Sequence, residues 1–184
     1  MLNFCRLVLI FYIVLLGFAT AIESNKAHAQ GNVDIFHSSG LPIPRFVALR
    51  SDKVFVRTGP ALRYPIQWIY QKKHYPVEVI QEFDTWRKIR DIDGEEGWIH
   101  QSLLSGKKMG LVNAAQGAYL YRKPIKIDKN NNPVAQKPMA LLENKLLIHI
   151  NKCLPQWCFI DIGDLNGWIE RKFIWGIYDQ DEFE

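Results

Sequence analysis

Residues 86–89 (WRKI) and 97–99 (GWI) recur about seventy positions later as residues 157–160 (WCFI) and 167–169 (GWI). In both copies a short turn containing Gly and Asp separates the stretch that begins with tryptophan from the Gly-Trp-Ile stretch. Solenoid units recur roughly every 20–50 residues, so a repeat at this longer distance indicates duplicated domains instead. The sequence therefore predicts two domains of similar fold in tandem.

Short stretches with alternating apolar residues predict β-strands in each copy. Val54 and Val56, for example, lie two positions apart, the spacing that places both side chains on one face of a strand. Clusters of Gly, Pro, Asn and Asp, such as residues 58–60 (TGP), separate these stretches. No stretch beyond the N-terminal apolar run keeps an amphipathic helical period for three turns. We predict an all-β fold of two small barrels, at residues 46–106 and 108–178.

The N-terminal residues have the pattern of a secretory signal peptide. One basic residue precedes the apolar run at residues 7–16. A transmembrane helix needs roughly 20 apolar residues, so this run is too short to span a bilayer. Small residues at 27–29 (AHA) form a cleavage site, and an uncleaved anchor is the alternative. We expect a signal peptide at residues 1–29, a flexible leader at 30–45, and a periplasmic or secreted protein with no stable membrane span after cleavage.

The composition is that of a folded protein with only a mild positive charge. The 184 residues are 48% hydrophobic and 12% aromatic, and the formal net charge is +4. This excludes disorder of the whole chain and gives no support to nucleic-acid binding. The last six residues, 179–184 (DQDEFE), form an acidic tail. The tail is either a solvated end or a segment that folds back over a basic groove.

Cys153 and Cys158 are predicted to form a disulfide. Four residues separate them, so a tight hairpin would bring them face to face at a distance compatible with an S–S bond. An oxidising compartment outside the cytoplasm would favour the bond. A redox-active pair has two intervening residues, and a zinc site needs four ligands, so neither alternative fits.

No motif of a catalytic or metal site occurs in the chain. The histidines are scattered, and neither an HExxH array nor a Gly-x-Ser-x-Gly elbow is present. The acidic turn at residues 91–96 is interpreted as a solvated hairpin tip, because the second copy keeps only Asp161 and Asp164 there. We therefore expect no enzyme activity, no metal and no cofactor.

The tryptophans that both copies share are predicted to be structural. A small barrel buries little surface, and each buried aromatic removes roughly 150–250 Å² from water. The predicted core residues are Trp86, Trp98, Trp157 and Trp168. Replacing Trp98 by alanine would then unfold its barrel. The glycines before the second tryptophan of each copy, Gly97 and Gly167, indicate close approach of a neighbouring chain segment or a bulge.

Cations and aromatics interleave around a Gly-Pro loop in the first copy only. Aromatic faces bind extended peptides and sugar rings, and cations orient carboxylates. The candidate ligand-binding residues are Arg57, Thr58, Arg63, Tyr64, Trp68 and Tyr70. The alternative is that Trp68 and Tyr70 pack inward. Changes of Arg57 or Tyr64 are expected to weaken binding without lowering the melting temperature.

Residues 54–60 (VFVRTGP), together with the closing Trp86 and Gly97-Trp98-Ile99, resemble the bacterial SH3-like domain family. The second copy keeps the closing residues but has 120–124 (LYRKP) in place of the loop, which leaves a ligand site there in doubt. The resemblance implies that the chain is a tandem pair of SH3-like domains in an exported protein.

The resemblance also implies a function, because domains of this family often accompany cell-wall hydrolases and are thought to target or regulate them. We expect a non-catalytic binding module for cell-envelope ligands, either peptidoglycan peptides or extended partner segments. The alternative is a structural or assembly module that binds an envelope protein through edge strands, as an accessory to a cell-wall enzyme.

Overall fold

The computed structural model describes residues 39–130 and 132–181, which form fourteen β-strands and two short 3₁₀ helices. The first seven strands are β1 (Arg45–Leu49), β2 (Val54–Arg57), β3 (Ile66–Tyr70), β4 (Pro76–Phe83), β5 (Trp86–Arg90), β6 (Glu96–His100) and β7 (Leu104–Ser105). The next seven are β8 (Met109–Val112), β9 (Ala118–Leu120), β10 (Ala140–Leu142), β11 (Leu147–Cys153), β12 (Trp157–Ile162), β13 (Leu165–Glu170) and β14 (Ile174–Trp175). The prediction of an all-β fold is confirmed.

Strands β1–β7 form one antiparallel sheet around their own hydrophobic core. The strand order is β3-β2-β6-β5-β4-β1-β7. Alternation along β2 buries Val54 and Val56 and leaves Phe55 exposed, as their spacing predicts. The buried members of this core are Leu49, Val54, Val56, Val77, Val79, Ile89, Ile99 and Leu104.

Strands β8–β14 enclose a second core. Five of them pair in the order β13-β12-β11-β8-β14, and β9 and β10 form a separate hairpin. The backbones of Tyr121 and Trp168 exchange hydrogen bonds of 2.8 and 2.7 Å, which join the hairpin to β13. The buried members of this core are Val112, Ala118, Leu120, Leu142, Ile148, Ile150, Cys153, Cys158, Ile160, Ile169 and Ile174.

The second set of strands repeats the pairing of the first. With the Tyr121–Trp168 bridge included, its order matches that of β1–β7 strand for strand. The register of β4 with β5 shifts between Val79 and Gln81, and that of β11 with β12 shifts between Ile150 and Lys152. The irregularity therefore falls at the same place in the two sets of strands.

The two sets of strands belong to one compact unit. The Phe46 ring lies 5.0 Å from that of Trp175 and 4.7 Å from that of Tyr178. The Tyr178 hydroxyl donates to Glu78 Oε1 at 2.6 Å. The segment after β14 therefore fastens the second set of strands to β1 and β4 of the first.

The predicted disulfide is present. Cys153 and Cys158 lie directly opposite each other on β11 and β12, with Cα atoms 4.1 Å apart, and their sulfurs are bonded. Both residues belong to the second core. The bond closes the hairpin whose turn contains Leu154 and Pro155.

Changing both cysteines to alanine is expected to lower the free energy of unfolding by about 2 kcal/mol, because the bond closes only a short loop and so restricts the unfolded chain modestly. Denaturant unfolding of the variant and of the oxidised wild type measures the difference. Equal stabilities would contradict the prediction. Adding a reductant to the wild type should reproduce the loss, and it should leave the variant unchanged.

Several sequence predictions lie wholly or partly outside the described residues. The signal peptide at 1–29 and most of the leader fall there, as do residues 182–184 of the acidic tail. In the described ranges, no helix is long and apolar enough to cross a bilayer. The boundaries at 46–106 and 108–178 remain predictions, and the observed strands run from 45 to 105 and from 109 to 175.

Candidate functional site

Arg57 organises the loop between β2 and β3. Its Nη1 donates to the carbonyl oxygens of Leu62 at 3.1 Å and Tyr64 at 2.8 Å. Two backbone acceptors thus hold the guanidinium group on the loop itself. Arg57 therefore helps to hold the shape of this loop, and its contact with a ligand stays a prediction.

Thr58, Arg63 and Tyr64 form the outer surface of the same loop. Tyr64 packs flat on Gly59, where a Cβ would lie 2.6 Å from Tyr64 Cδ1, so a side chain at this position would displace the ring. Arg63 Cζ lies 5.2 Å from the centre of the Tyr64 ring. Thr58 and Arg63 are exposed, and the loop therefore presents a cation and a partly covered aromatic ring to solvent.

Trp68 and Tyr70 face the core of the first sheet. The register pairs them with the buried Val56 and Val54. The Tyr70 hydroxyl donates to Asp91 Oδ2 at 3.0 Å, and its ring stacks on Tyr75 at 5.3 Å. Burial, and then the Asp91 carboxylate, raises the pKa of Tyr70 far above its usual value. The inward alternative describes how both side chains pack, and because both are only half-buried, their contact with a ligand stays a prediction.

A shallow cleft of about 700 Å³ opens beside the loop and is named here the Trp86 cleft. It is lined by Ala61, Leu62, Arg63, Thr85, Trp86, His100, Ser102 and Leu103. The Trp86 ring meets His100 edge-on at 5.5 Å. Of the six candidate ligand residues, Arg63 alone lines the cleft, and Trp86, predicted as core, lines it from a largely buried position.

A groove of about 600 Å³ occupies the corresponding place in the second set of strands and is named the Trp157 groove. Trp157 pairs with Glu170 as Trp86 pairs with His100. Residues from the long connection between β9 and β10 form one wall, in place of the loop between β2 and β3. The lining residues are Ile125, Ile127, Pro133, Pro155, Gln156, Trp157, Glu170, Arg171, Lys172 and Asp179.

Sequence reasoning missed the Trp157 groove, because it judged the second copy by the missing Gly-Pro loop. The usable signal was the recurrence of Trp157 together with apolar residues, such as Ile125 and Ile127, in a long stretch that lies well before it in the chain. In the fold, Ile125 and Ile127 line one wall of the Trp157 groove, and no Gly-Pro turn takes part in that wall.

Trp98 and Trp168 lie on the outer faces of β6 and β13, which corrects their assignment to the core. Both are half-buried, whereas their neighbours Ile99 and Ile169 are fully buried. Adjacent residues of a strand point to opposite faces, so tryptophan and isoleucine cannot both face inward. The replacement Trp98→Ala is now expected to cost less than full unfolding of its domain.

The glycines before these tryptophans are required for close packing, in line with the sequence interpretation. A Cβ at Gly97 would lie 2.3 Å from Val56 Cγ1. At Gly167 it would lie 2.8 Å from the carbonyl oxygen of Tyr121. The end of β2 therefore passes close to β6 at Gly97, and the segment after β9 passes close to β13 at Gly167.

The acidic turn at residues 91–96 is organised by Asp91. Its Oδ1 accepts hydrogen bonds from the amides of Asp93 and Glu95, each at 3.0 Å. Lys145 Nζ contacts Asp93 Oδ1 at 2.6 Å. Across residues 39–130 and 132–181, no three His, Cys, Asp or Glu side chains converge as metal ligands would.

The first residues of the acidic tail are held in the second set of strands. The buried Arg171 donates to the carbonyl oxygens of Leu154, Tyr178 and Asp181. The Tyr178 amide donates to Asp181 Oδ2 at 2.9 Å. The part of the tail that the structure describes, residues 179–181, is therefore a turn anchored by Arg171.

Comparison with known proteins finds a family match within the first set of strands, from β2 to β7. Residues 50–106 match the family model described as the bacterial SH3 domain, which confirms the resemblance over that stretch. The match includes the loop after Arg57 and every residue of the Trp86 cleft. None of the curated proteins compared with the chain matches it.

Two solved structures of Trichomonas vaginalis proteins are similar to the chain. NlpC2 is 14% identical, with a TM-score of 0.32, and the alignment covers 76% of this chain and 50% of that one. NlpC1 is 15% identical, with a TM-score of 0.32 and coverage of 74% and 47%. The chain thus spans about half the length of these two proteins.

Proposed function

We propose that this protein, whose residues 50–106 match the bacterial SH3 domain, is an exported, non-catalytic binding module for cell-envelope ligands. The observation that carries the proposal is the Trp86 cleft, which lies within the matched stretch and joins an aromatic floor to the exposed cation of Arg63. The family resemblance, which implies targeting to the cell wall, supports the same assignment.

The chemistry of the cleft suits an extended, carboxylate-bearing ligand. Trp86 and His100 supply aromatic surface, and Arg63 supplies planar N–H donors that match a carboxylate. Peptidoglycan peptides combine carboxylates with extended backbone. Arg63 lies on a loop whose shape Arg57 maintains, and Trp86 and His100 lie on β5 and β6, so the cleft is built before a ligand arrives.

Two parts of the proposal, export and the lack of catalytic activity, are supported by features of the sequence. The apolar run at residues 7–16 followed by small residues at 27–29 supports a periplasmic or secreted location. The non-catalytic assignment is supported by the lack of a recognisable nucleophile, acid–base pair or metal motif in the sequence.

Co-sedimentation with purified peptidoglycan tests the proposal. The protein is expected to pellet with peptidoglycan at low salt and less so at about 0.5 M salt, where the Debye length shrinks well below 10 Å. Binding that is absent at every ionic strength would overturn the proposal.

Replacing Arg63 by alanine is expected to reduce the bound fraction several-fold without changing the melting temperature, because Arg63 is exposed and lines the cleft. The matched control is Lys137→Ala, which removes an exposed cation from the second set of strands. The replacement Arg57→Ala should weaken binding too, through loss of its two loop hydrogen bonds. Equal loss with Lys137→Ala would show that net charge alone is responsible.

An assembly function is the second candidate, favoured by exposed apolar residues on the hairpin of β2 and β3. Phe55 and Ile69 face each other across the two strands and are both exposed. A stable complex with an envelope protein, seen by size-exclusion chromatography and unaffected by cell-wall fragments, would favour this candidate.

A further inference from the structure

Strand β3 is an open edge of the first sheet. Within the described residues it pairs with β2 alone and stands last in the strand order. An edge strand has backbone N–H and C=O groups directed away from its only neighbour, where they can pair with another chain. The opposite edge is β7, which has only two residues, whereas β3 has five.

Exposed apolar side chains accompany this open edge. Ile66 and Ile69 on β3 are 46% and 39% exposed, and Phe55 on β2 is 37% exposed. Edge strands are normally protected by charge, proline or short length. The β3 strand itself contains no charged residue and no proline, so its edge lacks these protections.

Cations flank β3 in the chain on both sides, whereas the Asp91 carboxylate that Tyr70 of this strand contacts is largely buried. Residues 53–75 contain five cations and no acidic residue. Arg63 precedes the strand, and the exposed Lys72 and Lys73 follow it. Lys53 lies over the Phe55 ring at 5.2 Å. A polypeptide that approaches this edge therefore enters a positive potential.

The charge selects among possible occupants of the edge. A second copy pairing β3 with β3 would bring two sets of cations together, which opposes association. A purely anionic polymer would form ion pairs with the cations. It would not cover the exposed isoleucines, and it would not form hydrogen bonds with the free backbone groups of the edge. An extended segment with acidic and apolar residues matches all three features.

We propose that β3 binds an acidic, extended segment of a partner protein by strand addition. The backbone of the segment would pair with β3, its apolar side chains would cover Ile69 and Phe55, and its carboxylates would meet Lys72 and Lys73. The proposal rests on the assembly function given above as the second candidate, to which it adds the kind of partner and the way it binds, and it does not depend on the Trp86 cleft.

The test uses a capped peptide of about eight residues that alternates glutamate and valine, enough to span a five-residue strand. Its affinity for the purified protein is measured by calorimetry, and amide exchange along the chain is followed by NMR. Binding is expected, with slower amide exchange in residues 66–70. The same peptide with N-methylated backbone amides is expected not to bind, because it keeps its charge but loses its donors.

Two pairs of variants separate the contributions of charge and apolar surface. The double change Lys72→Glu and Lys73→Glu is expected to weaken peptide binding at least about tenfold, whereas Lys129→Glu and Lys137→Glu, an equal charge change at exposed sites, should not. The change Ile69→Thr is expected to weaken binding several-fold. Leu141→Thr, at the corresponding position of β10, should leave it unchanged.

Three results would overturn the proposal. The first is peptide binding without slower exchange in residues 66–70. The second is equal affinity for the N-methylated peptide or for polyacrylate, which would show binding by charge alone. The third is an unchanged affinity in the Lys72 and Lys73 variant with a wild-type melting temperature. Loss of peptide binding in the Ile69→Thr variant, with peptidoglycan binding intact, distinguishes this site from the Trp86 cleft, which Ile69 does not line.

Discussion

Replacing Glu82 by glutamine is expected to lower the free energy of unfolding by about 3 kcal/mol, because it removes the negative charge from a buried ion cluster. Glu82 Oε1 lies 2.6 Å from Arg45 Nη2 and 3.0 Å from Arg87 Nε. The Glu82 and Arg87 side chains are each only 4% exposed. Without the carboxylate, Arg87 would remain charged and buried. The figure is at the lower end for a buried pair, since Arg45 retains some contact with water.

The same carboxylate makes stability depend on pH. Burial alone would raise the pKa of Glu82, but hydrogen bonds from Ser39 and the contact with Arg45 outweigh it and hold the pKa below its usual value. A carboxyl with a lowered pKa in the folded state adds stability above its unfolded pKa of about 4.3, and this contribution is lost as the pH falls through the folded value. The stability difference between wild type and Glu82→Gln should therefore shrink on acidification.

Denaturant unfolding near neutral pH and at about pH 3 measures both effects. The matched control is Glu96→Gln, which also loses contacts with two cations, Lys88 and Arg90, each at 2.7 Å. These partners are more exposed, so water and salt screen the ion pairs, and the loss should be much smaller. Similar losses of unfolding free energy in the Glu82→Gln and Glu96→Gln variants would contradict the claim that burial makes the Glu82 ion pairs more stabilising.

Truncating either of two matched core isoleucines is expected to cost about 2–5 kcal/mol. Ile89 on β5 and Ile160 on β12 are fully buried and hold equivalent positions, each opposite the residue before the strand irregularity. The changes Ile89→Ala and Ile160→Ala remove the same atoms from different cores. Because each isoleucine belongs to only one core cluster, the two costs should add in the double variant.

The location of the effect distinguishes two cores from one. Amide exchange should accelerate most in β1–β7 for Ile89→Ala and most in β8–β14 for Ile160→Ala. The exposed Ile66→Ala serves as a control with a small expected cost. Exchange that accelerates equally throughout both sets of strands in each variant would show a single cooperative core and would contradict the predicted division into two domains.

The comparison of Arg57 with Arg63 shows where sequence reasoning reached its limit. Both arginines lie near the same Gly-Pro loop, and their residue type suggested one role. In the fold, the carbonyls of Leu62 and Tyr64 engage Arg57, whereas Arg63 stays exposed on the Tyr64 ring. Which acceptors an arginine meets depends on how the loop closes, and residue type carries no information about that.

Local patterns alone determined the all-β class, the disulfide between Cys153 and Cys158, and the bacterial SH3 motifs within residues 50–106. These features arise from residues close together in the chain, where alternation, turn residues and short spacings act directly. Tertiary structure decided which face of each strand is covered. Alternation shows which side chains share a face, but only packing against distant strands places Trp98 outside, Trp68 inside, and the Trp157 groove beside a connection more than twenty residues away.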